Sequence, residues 1–235
     1  MLFQRRSKFS FGILLAGAVA LGWTGAAPAA TLTYDAVTDF SITNGNPNGF
    51  WSYRADGTLL THTENINGNA ANPAWDRGSS EPNFRTIGIV GAGYLTIPAN
   101  TSVLNLDPEG GTVTVRFKPT YSGTFTVTGY FLGDDNHGGV THPVTIDKDG
   151  ATSLFASTIT SFHEQKNFSL SVALLFGDYI DFNVSVGTDY RYLSTGLSAL
   201  ITTTTPLPAA LPLFASGLGA IGVTAWRRKR KARAA

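Results

Sequence analysis

Residues 133–139 read GDDNHGG and gather Asp134, Asp135, Asn136 and His137 in one short polar run. Carboxylates beside amide and carbonyl oxygens are the hard ligands that Ca²⁺ takes. Asp134 and Asp135 are therefore the candidate metal ligands, for a structural calcium ion. A polar turn between strands would use the same letters with no ion. A second acidic run, DKDG at 147–150, begins like a calcium loop but carries Thr158 where the twelfth position needs Glu. PVTIDKDGATSLF is better read as a β-hairpin with Gly150 at a positive-φ position. The four histidines, His62, His137, His142 and His163, have no zinc-type spacing. No nucleophile elbow or phosphate loop is present. The chain has no cysteine, which removes disulfides, thiolate metal sites and a cysteine nucleophile.

Aromatic residues offer a different chemistry. NPNGFWSYR (46–54) and Trp75 supply rings able to stack on sugars, with Arg54, Asp76 and Arg77 as polar partners. Trp51 and Tyr53 lie two apart on one strand face, which suits a core. Trp75 sits in the loop-like stretch NGNAANPAWDRGSS, so Trp75, Asp76 and Arg77 form the expected glycan contact. A carboxylate pair for glycoside hydrolysis is assembled in space, and nothing singles out two of the 16 acidic residues. No catalytic residue is assigned, and the chain reads as a non-enzyme with no cofactor beyond the calcium.

The formal net charge of +1 hides an asymmetry. Arg5, Arg6 and Lys8 stand at one end and Arg227, Arg228, Lys229, Arg230, Lys231 and Arg233 at the other, while every acidic residue lies between Asp35 and Asp189. Residues 31–205 hold 8 basic and 16 acidic side chains, a net of −8. An acidic body argues against nucleic acid, which needs clustered Lys and Arg. The first cluster precedes the apolar run Phe9–Trp23 and the small residues TGAAPAA. This is the three-part pattern of a secretory signal peptide over residues 1–30, cut after Ala29 or Ala30.

Between the two ends, the candidate residues sit in a chain that reads as strands. TVTVRFK (112–118), GTFTVTGYF (123–131), NFSLSVAL (167–174) and DYIDFNVSV (178–186) alternate apolar and polar residues, as antiparallel strands with one wet face do. Further strands are expected at 84–90, 94–98, 102–106, 140–146 and 196–202, separated by NGNPNG, PEGG, DDNHGG and DKDG turns. The fold expected is an all-β, antiparallel two-sheet sandwich of jelly-roll type over residues 31–201.

Beyond Arg191 no charged residue occurs until Arg227. TTTTPLPAALP begins an extended Thr/Pro linker at 202–208. Residues 209–226 are uncharged and, as a transmembrane helix of roughly 27 Å, just reach across a bilayer core. Trp226 stands at the interface position, and the basic tail 227–235 would remain cytoplasmic. Ala215 with Gly219 and Ser216 with Ala220 give small-xxx-small pairs that admit a second helix.

This layout resembles the PEP-CTERM sorting signals of Gram-negative bacteria, in the VPLPA-CTERM variant. Pro206, Leu207, Pro208, Ala209 and Ala210 carry the match, followed by the GLG of the apolar segment and the Arg-rich tail. Thr205 stands where that variant usually has Val. The resemblance implies an exosortase-type membrane protease as partner, transient anchoring in the inner membrane, and release to the cell surface or an exopolysaccharide matrix. The body, at 46–54, 104–135 and 177–201, is similar to a domain often found upstream of such signals, one with no established activity to lend. The combined reading is a secreted or surface matrix protein, non-catalytic and glycan-binding. A secreted polysaccharide-acting enzyme and a stably anchored inner-membrane protein with a periplasmic domain are the alternatives.

Overall fold

The computed structural model describes residues 30–78, 85–90, 103–136, 141–187 and 194–204. The expected signal peptide, sorting motif, membrane segment and basic tail lie outside these residues, as do the expected strand at 94–98 and His137. Among the described residues no helix is long and apolar enough to cross a membrane.

Fourteen strands occur in the described residues. They are β1 (Thr31–Asp35), β2 (Trp51–Ala55), β3 (Thr58–Leu59), β4 (His62–Asn65), β5 (Pro73–Asp76), β6 (Thr86–Val90) and β7 (Val103–Asp107). They continue as β8 (Thr112–Phe117), β9 (Gly123–Gly133), β10 (His142–Lys148), β11 (Thr152–Ile159), β12 (Gln165–Leu174), β13 (Ile180–Ser185) and β14 (Thr195–Thr204). One sheet runs β12-β9-β14-β7-β6-β5-β4, with β1 also paired to β14. The other runs β11-β10-β13-β8-β2-β3. Every one of these strand pairs is antiparallel. The described chain is thus an all-β, two-sheet antiparallel sandwich.

The period-two pattern places the core. On β8, Val113, Val115 and Phe117 are buried while Thr112 and Arg116 are partly exposed. On β9 Phe125, Val127 and Phe131 are buried, and on β13 Ile180, Phe182 and Val184 are. Rings bridge the two sheets: Phe117 lies 5.8 Å from Phe125, and Phe182 lies 5.9 Å from Phe168. Each buried aromatic removes a large apolar area from water and adds edge or tilted ring contacts. Gly129 is required by close approach, since a Cβ there would collide with the Ser198 carbonyl and the Phe168 ring.

The expected hairpin around DKDG forms as β10–β11, with Asp149 (φ 54°) and Gly150 (φ 67°) at its tip. Two expectations are corrected. The first is the start of the linker, because residues 202–204 belong to the sandwich. Thr202, Thr203 and Thr204 extend β14 and pair with Thr33, Leu32 and Thr31 of β1. Thr203 is buried, and its Oγ1 donates to the Thr124 carbonyl at 3.0 Å. Thr202 and Thr203 also pair with Thr126 and Phe125 of β9 on the other side, and a run of β-branched residues suits such a paired strand better than a free linker. The second correction concerns Trp75, which lies in strand β5 and not in a loop.

Candidate functional site

Trp75, Asp76 and Arg77 do not form a surface platform. Trp75 is 6% exposed, and its Nε1 donates to the Ser41 carbonyl at 2.9 Å. A ring packed into the core has no free face for a sugar, so the expected stacking at Trp75 is corrected. Asp76 is also buried and meets Nδ1 of His62 at 2.7 Å, which raises the His62 pKa through that hydrogen bond. Arg77 reaches Asp56 at 3.2 Å, where Arg85 also pairs at 2.8 Å. The three residues are adjacent in sequence but turn to three different partners.

Asp134 is fully buried, and its Oδ2 accepts a hydrogen bond from Asn105 Nδ2 at 3.1 Å. Its Oδ1 has no hydrogen-bond partner among the described residues. Burial pushes its carboxyl up to about 8. Asp107 is pushed up to about 7, first by burial and then by the negative charge of Glu109. Asp135 is half-buried. No group of three or more His, Asp or Glu side chains able to hold a metal ion occurs among the described residues. A carboxylate as enclosed as Asp134 offers a polymer nothing to touch.

The outer face of the six-stranded sheet is different. It carries alternate residues of β8, β13 and β10, and opposed side chains bond to one another across the strands. Arg116 pairs with Asp181 through two hydrogen bonds of 2.7 and 2.8 Å. Thr114 Oγ1 donates to Asn183 Oδ1 at 2.7 Å, and Asn183 Nδ2 donates to Asp147 Oδ2 at 2.8 Å. Such a satisfied network fixes its members in place.

At one end of this face lies an open groove of about 370 Å³, lined in part by Trp51, Ser52, Arg54, Arg116, Lys118 and Phe176. Phe176 is 76% exposed and Leu175 beside it 68%. The ring stands on a fixed turn. Leu175 N–H donates to Asp178 Oδ2 at 2.9 Å, Asp178 N–H to the Leu175 carbonyl at 3.1 Å, and Phe176 N–H to Ser122 Oγ at 2.7 Å. Gly177 takes φ 100°, in the region glycine enters without a Cβ penalty. Lys148 Nζ meets the same Asp178 oxygen at 2.8 Å.

A second depression, of about 560 Å³, is lined by Tyr34, Asp39, Phe40, Asn44, Phe50 and neighbouring residues. Its groups are already committed. Asp39 Oδ2 accepts from Trp51 Nε1 at 3.1 Å, the Tyr34 and Tyr121 hydroxyls meet at 2.7 Å, and Phe50 packs edge-on to Tyr34.

No protein-family model and no curated protein matches the chain. Three similar solved structures are carbohydrate-binding modules. The CBM22-1 xylan-binding domain of Paenibacillus barcinonensis Xyn10C is 10% identical, covering 77% of this chain and 98% of that one, with a TM-score of 0.40. The C-terminal family 22 module of Clostridium thermocellum Xyn10B is 8% identical over 73% and 92%, with a TM-score of 0.39. CBM35 from Paenibacillus barcinonensis is 13% identical over 74% and 99%, with a TM-score of 0.34. Likeness at this level carries no argument about function, which must come from the groove.

Phe176 was not among the residues singled out by sequence. LLFGDY offered a signal, since a Gly-Asp turn directly after an alternating strand lifts the residue before it out of the sheet.

Proposed function

We propose that the chain is an exported, non-catalytic polysaccharide-binding protein, with the groove beside Phe176 as its sugar-contacting surface. The observation that carries this reading is an exposed aromatic ring on a hydrogen-bonded turn, beside an open groove with polar walls. Sugars bind by laying an apolar ring face on an aromatic side chain while their hydroxyls meet polar groups. The turn that carries the ring is already held by its hydrogen bonds, so its backbone loses little conformational freedom in doing so. An open groove suits a polymer that passes through it.

In this proposal residues 1–30 direct export and residues 206–235 act as a sorting handle. The supports are the sequence features: the Pro-Leu-Pro-Ala-Ala motif at 206–210, the uncharged segment 209–226 and the basic tail. The exosortase-type protease is the partner that the resemblance implies. Mass spectrometry of the mature protein is expected to find a C-terminus near residues 205–210. Persistence of Arg227–Ala235 would make the segment a permanent anchor.

Affinity electrophoresis of the full-length chain in gels containing polysaccharides tests the binding function. Retardation that Phe176→Ala abolishes, without release of shorter sugars, is the expected result. Equal retardation of the variant rejects the site, and release of shorter sugars rejects the non-catalytic reading.

A further inference from the structure

Resting on that reading, we infer that the groove takes an anionic polysaccharide, with Arg54 and Lys118 meeting the acidic groups of the polymer. Residues 31–205 carry a net charge of −8 with only 8 cations. Three of those cations, Arg54, Arg116 and Lys118, line this one groove, and among the described residues no carboxylate lines it.

The cations are not equally engaged. Arg116 is held by Asp181 through both carboxylate oxygens and lies 3.5 Å over the Tyr179 ring. Its charge is thereby compensated. Arg54 spends Nη1 on the Gly57 carbonyl, and its Nε is buried with no hydrogen-bond partner among the described residues. Burial and the like charge of Arg116 draw the Arg54 pKa below its ordinary value. Lys118 is exposed at the mouth of the groove. The groove therefore holds surplus positive charge on an otherwise acidic body. A polyanion is repelled by that body elsewhere, so charge fixes both the place and the class of the ligand. Phe176 would stack on a ring of the polymer while the two cations meet groups flanking it.

Three probes separate the possibilities. Polygalacturonate carries carboxylates, dextran sulfate carries sulfate esters, and highly methyl-esterified pectin has the first backbone with the charge removed. The expected result is retardation of the full-length chain by a charged polymer that Lys118→Ala weakens, and weak retardation by the esterified one. Retardation by a charged polymer that Lys118→Ala leaves unchanged belongs to the basic clusters at 5–8 and 227–233 and overturns the inference. Preference between the carboxylate and sulfate polymers tells which acidic group the cations accept. Raising NaCl from about 50 to about 500 mM weakens the binding, because exposed charge contacts are screened. Lys118→Ala weakens it by about tenfold, the size of one charge-assisted hydrogen bond. Lys166→Ala, remote from the groove and paired with Glu164, leaves it unchanged. Equal, salt-insensitive binding to charged and esterified polymers overturns the anionic inference while glycan binding stands. Binding to no polymer, with Phe176-dependent self-association or protein capture instead, overturns glycan binding itself.

Discussion

Arg116 donates from Nε and Nη2 to the two carboxylate oxygens of Asp181, at 2.7 and 2.8 Å, directly across the β8–β13 pair. The planar fork of a guanidinium matches a carboxylate in this way, and the Tyr179 ring lies against one face of it. Arg116→Ala leaves Asp181 buried without its partner and is expected to cost roughly 3 kcal/mol. Arg116→Lys recovers only part of this, because an ammonium cannot reproduce the fork. Chemical denaturation of the three proteins checks the order.

Trp75 and Phe176 separate stability from binding. Trp75→Ala empties a core position and is expected to cost roughly 3–5 kcal/mol, a Tm drop of about 10 °C for a body of this size. Phe176→Ala removes an exposed ring and is expected to leave Tm within about 2 °C. Calorimetry of both variants checks this.

Tyr53 is fully buried, and its hydroxyl has no hydrogen-bond partner among the described residues. Tyr53→Phe removes an unsatisfied polar atom while keeping the ring. It is expected to be neutral or to stabilise by about 1 kcal/mol. A loss of stability on denaturation would show that the hydroxyl has a partner.

Asp107 and Asp134 give a pH dependence. Both have folded pKa values raised by burial, to about 7 and about 8, so between the unfolded value and these values the folded state binds more protons. Stability therefore falls as pH rises from about 4 towards 8 and levels off above. One such carboxyl changes Tm by roughly 3 °C per pH unit in that window. Asp134→Asn is expected to flatten the profile. Calcium added at about pH 9.5, above both folded values, tests the ion site expected at Asp134 and Asp135. A Tm rise absent from Asp134→Asn assigns it, and no rise removes it.

Alternation made much of the sandwich legible. Val113, Val115 and Phe117, and Phe182 and Val184, are buried as their spacing requires, and DKDG forms the hairpin tip. Short strands were harder to read. Thr58–Leu59 is two residues long, and HTEN at 62–65 is polar throughout, so neither shows a period. The sequence reads Trp75 as a loop residue because Asn, Pro and Gly surround it, while its burial depends on pairing with Thr63 and Ile87 of the neighbouring strands. The groove was not legible. Arg54, Arg116, Lys118 and Phe176 come from three separate parts of the sequence and meet only in the folded sheet.

Isothermal titration of the full-length chain with polygalacturonate, beside Phe176→Ala, decides whether the groove beside Phe176 binds polysaccharide. Saturable binding by the wild-type chain, lost in the variant with Tm unchanged, is the outcome expected. Identical titrations for the two proteins, or no heat from either with any of the three polymers, would refute it.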